Sequence, residues 1–185
     1  AYSSQKEVYT TILGDLDAAT AVIGPTVAAD PSATVASEYD QVYQGKLSAW
    51  LKYANSLKLR MAIRMRFVEP EQARKIGEQA VKDGVMTSNS DNLTIAYTPN
   101  GLYKTSVEWG DTRACADIET YMNGYHDPRV EKYFSTPATQ GDRKIIGLRA
   151  GANVGNKATA DAIYSAANVK QSDRGIWMTA AEVTF

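Results

Sequence analysis

Through much of the chain, apolar residues recur at three- and four-residue intervals, the spacing that lines one face of an α-helix. The longest run predicts a helix from about Lys46 to Val68, with Leu47, Trp50, Ala54, Leu57, Met61, Met65 and Val68 along one side. A second helix follows at once. Pro70 suits a first helical position, Ala73, Ile76, Ala80 and Val81 form its stripe, and Gly84 suits the position just past its end. Helices joined by so few residues lie antiparallel, and Ala49, Ala54, Ala62, Ala73, Gly77 and Ala80 are small enough to let them pack closely. Upstream, Ser4 and Glu7 form an S-x-x-E capping box at the start of a helix over residues 4–23. Val8, Ile12, Leu16, Ala19 and Ile23 make its expected stripe, and Gly24-Pro25 its stop. The pattern is that of helical hairpins, without a 34-residue sequence repeat.

Beyond residue 84 the pattern weakens. Residues 25–45 and 87–110 read as loops, the latter holding a short strand-like LTIAY. Residues 111–124 read as a helix with Asp111 as its N-cap. Asp127-Pro128 starts a short helix running through Phe134, and the Gly-, Asn- and Ala-rich stretch 135–176 holds one weak helix over Lys157–Ala167. The final MTAAEVTF opens a helical pattern with no stop signal, and the first residue is not Met. We expect residues 1–185 to be a single partial domain of a larger protein, with the apolar side of 178–185 short of partners. The expected fold class is mainly α.

Composition narrows the function. With 44% apolar and 22% charged residues, the chain has the makeup of a folded domain. A formal net charge of -1 offers no positive field for nucleic acid. No apolar run approaches the roughly 20 residues that span a bilayer, so no transmembrane segment is expected. Cys115 is the only cysteine, which removes intramolecular disulfides and cysteine-rich zinc sites, and it reads as a small apolar residue on a helix face. His126 is the only histidine, so any triad would need it and a multi-histidine metal site is impossible.

Candidate catalytic chemistry is thin. Gly141, Gly147, Gly151 and Gly155 lack the G-K-[ST] of a phosphate loop. SNSDN lacks the order of a calcium loop. Glu108, Asp111, Asp117 and Glu119 could supply a glycosidase pair only if two were held across a cleft, and Asp117 and Glu119, two apart, point in different directions on a helix. No cofactor is implied. What stands out is 11 tyrosines against 3 phenylalanines, with three tryptophans, a usage that suits surfaces both apolar and hydrogen-bonding. Trp50 reads as core and Trp177 as an anchor for the last helix. Trp109 sits in a polar loop with Tyr97 and Tyr103.

The stretch Tyr39-Asp40-Gln41-Val42-Tyr43-Gln44-Gly45, followed by Trp50-Leu51-Lys52-Tyr53-Ala54-Asn55-Ser56-Leu57-Lys58-Leu59-Arg60-Met61-Ala62-Ile63-Arg64, resembles the signature of the SusD/RagB-like proteins. The likeness continues through Pro70 to Gly84, Asp127-Pro128-Arg129 with Tyr133, and Met178-Thr179-Ala180-Ala181-Glu182-Val183. It implies an outer-membrane lipoprotein facing the cell exterior, built on tetratricopeptide-like helix pairs with long irregular loops. It also implies a non-catalytic binding protein that hands oligosaccharides or other nutrients to a TonB-dependent outer-membrane transporter. A helical-repeat scaffold that binds protein alone is the alternative. Ligand residues cannot be carried over by motif, and Asn55, Leu57, Arg60 and Arg64 look structural. The expected ligand surface is the segment from Tyr97 to Arg113. There Tyr97, Tyr103 and Trp109 would stack on sugar rings while Asp111 and Arg113 fix hydroxyl groups.

Overall fold

The computed structural model describes residues 2–96, 99–135 and 141–184. These fall in two compact units, one of Ala1–Ile95 with Ile176–Phe185 and one of Ala96–Gly175. Helix dominates the first unit, as the apolar spacing predicts, whereas in the second unit short helices alternate with longer irregular stretches.

The first unit begins with α1, Gln5–Ala29, opened by the Ser4–Glu7 capping box. The helix does not stop at Gly24-Pro25 but carries Pro25 inside it. Its covered side keeps Leu16 and Ile23 of the expected stripe and is otherwise shifted by one residue. Tyr9, Leu13, Leu16, Thr20, Ile23 and Val27 turn inward, whereas Val8 and Ile12 are exposed. Extended this way, α1 is long and apolar enough to cross a bilayer by length and composition, although here it packs along α2.

Helices α2 (Leu47–Met65) and α3 (Pro70–Asp83) form the expected hairpin. Ala54, Ala62, Ala73 and Ala80 are buried, small residues that let the two backbones approach. The Asn55 amide donates to the carbonyls of Asp83 (3.3 Å) and Gly84 (3.1 Å), closing the C-terminus of α3. Ser56 Oγ accepts from Met86 N at 2.8 Å. Lys58, buried in the wall between helices, reaches Asp17 (2.7 Å) and Thr20 (2.8 Å) on α1. Arg60 pairs with Glu182 at 3.2 Å and Lys52 with Asp91 at 2.9 Å. Leu57, expected in the core, is only partly covered, while Met61 is buried.

A 3₁₀ turn at Asn89–Asp91 leads to β1, Leu93–Ile95, the short strand the LTIAY pattern predicts. It pairs with β2, Gly175–Met178, in a two-stranded sheet. Trp177 therefore lies on a strand and is 65% exposed, so it does not anchor a helix. The final helix, Ala180–Thr184, is not short of partners either. Met178, Ala180 and Val183 are buried with Tyr43, Met86 and Leu93 in the unit's core, against which Trp50 packs partly covered. Asn92 Oδ1 accepts from Ala180 N at 2.8 Å. Phe185 lies outside the described residues.

The second unit holds α4 (Gly101–Tyr103), α5 (Ala116–Gly124), α6 (Val130–Tyr133) and α7 (Lys157–Ile163) around a small core of Ala114, Met122, Val130 and Ile145. Helix α5 starts five residues later than expected. Asp111 caps nothing, and an exposed Cys115 takes the N-cap position without a side-chain bond. Residues 114–116 are instead drawn into a bridge, with Leu148 N donating to Ala114 O and Ala116 N to Leu148 O. Asp127 does not begin a helix directly. Its carboxylate binds Arg129 N, forming the turn that precedes α6.

Candidate functional site

The aromatic loop of the second unit is more ordered than its polar sequence suggests. Asn100 starts it. Its Oδ1 accepts from Leu102 N (2.9 Å) and Tyr103 N (3.2 Å), its amide donates to Asp173 O (2.9 Å), and its backbone N–H donates to Gln171 O (3.0 Å). A buried asparagine with these bonds secured holds α4 rigidly. The chain then passes from α4 into a π-turn over Lys104–Glu108, closed by Trp109 N donating to Lys104 O at 2.8 Å. Such wide turns occur often at functional sites.

Gly110 ends the turn in the left-handed region at φ 67°, and a Cβ there would meet Asp161 Oδ1 at 2.8 Å and the Arg113 guanidinium at 2.9 Å. Beneath the loop, Arg113 is 7% exposed at its side chain. Its Nη1 donates to Ser106 O (2.9 Å) and Thr112 O (2.8 Å), and its Nη2 is paired with Asp161 at the end of α7. Ser106, also buried, bonds Thr112 O and accepts from Ala167 N.

On the outer side, Trp109 is 46% exposed, with the Lys104 ammonium 5.1 Å from its ring centroid. A cation over one face leaves the opposite face for stacking and makes the ring a firmer platform. Tyr103 is half-buried, and Asp111 is exposed with its carboxylate 3.3 Å from Lys157 Nζ. The structure thus brings Tyr103, Trp109, Asp111 and Arg113 into one loop and divides them. The first three reach the surface, and Arg113 braces the loop from below. Tyr97 lies outside the described residues. Sequence reasoning missed Asn100, Ser106 and Asp161. Only Asn100 carries a sequence signal, an Asn directly before a short helical run. Among the described residues no cluster of histidine, cysteine and carboxylates could hold a metal.

A cavity of about 330 Å³ lies elsewhere, in the first unit, between the start of α1 and the end of α2. Tyr9, Leu13, Met65 and Val68 line it and the Lys6–Glu69 ion pair borders it. It shares no residue with the aromatic loop.

The model of the family described as SusD-like, SusD and RagB outer membrane lipoproteins, matches residues 1–185. The chain belongs to the SusD-like family. A SusD homologue from Bacteroides thetaiotaomicron is 35% identical with a TM-score of 0.85, over 99% of this chain and 38% of its own. A chitin-binding SusD homologue from Flavobacterium johnsoniae is 36% identical with a TM-score of 0.84, over 99% of this chain and 39% of its own. One from Bacteroides uniformis is 37% identical with a TM-score of 0.83, over 98% of this chain and 38% of its own. No curated protein sequence matches. This SusD-like chain therefore spans under two-fifths of the length of these three solved relatives, and its family is one of outer-membrane lipoproteins. The ANSLKLR block, the most specific part of the resemblance, is structural at Asn55, Ser56, Lys58 and Arg60, each of which ties α2 to a segment outside it.

Proposed function

We propose that the full-length protein captures oligosaccharides on the outer face of the outer membrane, without turning them over, and passes them to a TonB-dependent transporter. The observation that carries this reading is the 36% identity, across 99% of the chain, to a SusD homologue that binds chitin. In the same reading, the Tyr103–Trp109 loop is one contact surface. Trp109 offers a flat apolar face to the C–H side of a sugar ring, and Asp111 stands beside it as an acceptor for hydroxyl groups. Arg113 contributes by holding Gly110 and Asp111 in place through its pair with Asp161. The fixed backbone favours binding because little conformational freedom is left to lose when a ligand docks.

The test is an affinity survey of the full-length protein against soluble polysaccharides and oligosaccharides, followed by recovery of its partner from outer membranes. Glycan binding together with a barrel transporter supports the reading. A peptide partner with no glycan affinity favours the helical-scaffold alternative.

A further inference from the structure

The first unit is discontinuous in sequence. It holds residues 1–95 and 176–185, so 96–175 is an insertion into it. The segments that flank the insertion, β1 and β2, are paired with one another. The bonds around that pair run in opposite order, Ala180 N donating to Asn92 Oδ1 and Asn100 N to Gln171 O, so the strands are antiparallel. Neighbouring strands lie roughly 5 Å apart, and the chain thus leaves and returns as at the open end of a hairpin.

The returning chain completes the first core, adding Met178, Ala180 and Val183 to Tyr43, Met86 and Leu93. Inside the insertion, one stretch of four residues, 165–168, gathers the remainder. Ser165 O accepts from Ala114 N (2.8 Å), and its buried Oγ accepts from Ile146 N (3.1 Å). Ala166 O accepts from Ser135 N (2.9 Å), Ala167 N donates to Ser106 Oγ (2.9 Å), and Asn168 N donates to Tyr133 O (2.9 Å). Asn100, itself buried, then ties the insertion's beginning to its end through Gln171 O and Asp173 O.

We propose that 96–175 is an autonomous recognition insert, clasped by Asn100, and that the choice of ligand resides wholly within it. The second half of this inference rests on the glycan-capture reading, which puts the Tyr103–Trp109 loop in this unit; the first half does not. Two physical arguments carry it. Loop-closure entropy grows only with the logarithm of length, so an insertion whose ends already meet weakens its host little however long it is. The insert also has its own core, of Ala114, Met122, Val130 and Ile145, and its own hydrogen-bonded tie at 165–168, so it can open and close as one cooperative piece. Asn100 is a positioning residue in this arrangement. It holds the two ends together and starts α4, from which the aromatic loop follows.

Native-state hydrogen exchange of the full-length protein in rising urea tests autonomy. The amides of Ala114, Ile146, Ala167 and Asn168 should open together, at a urea concentration different from that for the amides of α2 and α3. Asn100→Ala should speed exchange of the first set at least tenfold and leave the second set unchanged. It should also weaken every glycan that the parent binds in the survey. Replacing 96–175 by a short Asn-Gly turn in the full-length protein should keep α2 and α3 protected and abolish that binding. One shared opening, or loss of α2 and α3 protection in either variant, overturns autonomy. Glycan binding that survives in the turn variant refutes the assignment of ligand choice and leaves capture standing. A parent that binds no carbohydrate overturns the capture reading and ligand choice together, while the exchange data still decide autonomy.

Discussion

Trp50 on α2 donates its indole N–H to Asp40 Oδ2 at 2.7 Å. The same carboxylate accepts from Gly45 N (2.7 Å), Val42 N (2.9 Å) and Tyr43 N (3.2 Å), so one side chain organises the whole turn before α2. Gly45 sits at φ 77°, where a Cβ would meet Val35 O at 2.2 Å. The aromatic edges of Tyr43 and Tyr53 then close on Trp50, at 5.2 and 5.8 Å between ring centroids. Asp40→Ala leaves these donors without their acceptor. We expect a loss of about 1–3 kcal/mol in urea unfolding, the range for stranding buried polar groups.

The pH dependence follows from the same carboxylate. Burial works to raise the Asp40 pKa, but the bonds from Trp50, Gly45, Val42 and Tyr43 outweigh it and hold the group below its ordinary 3.8. Asp91 behaves alike, its burial outweighed by Thr87 N, Lys52 and Ser88 N. A carboxyl depressed in the folded state adds stability that is complete above its unfolded pKa and is lost as pH falls through the folded one. Stability of the first unit should therefore hold from neutral pH down to about pH 5 and decline below 3.8. In Asp40→Asn that decline should be shallower, as read by thermal melts across an acid series.

Asn55 is a donor facing two carbonyls, and this fixes how its variants rank. Asn55→Ala strands the Asp83 and Gly84 carbonyls at the end of α3 and should cost about 1–3 kcal/mol. Asn55→Asp places a carboxylate against the same oxygens and should cost more at pH 7. That excess should shrink as the introduced acid is protonated. Denaturant midpoints at pH 7 and pH 4 would separate the two effects.

Met61 and Leu57 share the predicted stripe of α2 but not its burial. Met61→Ala should cost roughly 2–5 kcal/mol, as emptying a core site does. Leu57→Ala should cost distinctly less, since less of it is taken from water. Equal midpoints for the two variants in chemical denaturation would contradict this placement.

The elements with strong local causes were readable in the sequence. Pro70 and Gly84 bracket α3, the alanines mark the hairpin contact, and Ser4 with Glu7 starts α1. Elsewhere a distant partner outweighed a local signal. Pro25 stays inside α1, at a position where the helix runs on to Ala29. Cys115 begins α5 because residues 114–116 are bonded to Leu148, which no spacing near Asp111 reveals. Trp177 lies on a strand because Leu93–Ile95, some 80 residues earlier, pairs with it. The aromatic character of the 97–113 segment could be read directly. That Arg113 lies beneath the loop could not, because its partner Asp161 is far along the chain.

That division makes the loop testable. Trp109 is half exposed and closes only one π-turn bond through its backbone, which any residue can form, so Trp109→Ala removes the stacking face with little cost to the fold. We expect glycan affinity of the full-length protein to fall about tenfold, roughly 1.4 kcal/mol, with the melting temperature unchanged. Lys104→Ala should give a smaller loss, since it removes the cation behind the ring and leaves the ring in place. Arg113→Ala should behave differently from both. It strands Asp161 and the Ser106 and Thr112 carbonyls, so it should lower the melting temperature together with affinity. If Trp109→Ala lowers the melting temperature instead and leaves affinity intact, the ring serves the fold and the contact surface lies elsewhere. Calorimetric titration and thermal melts on the same three variants distinguish these outcomes.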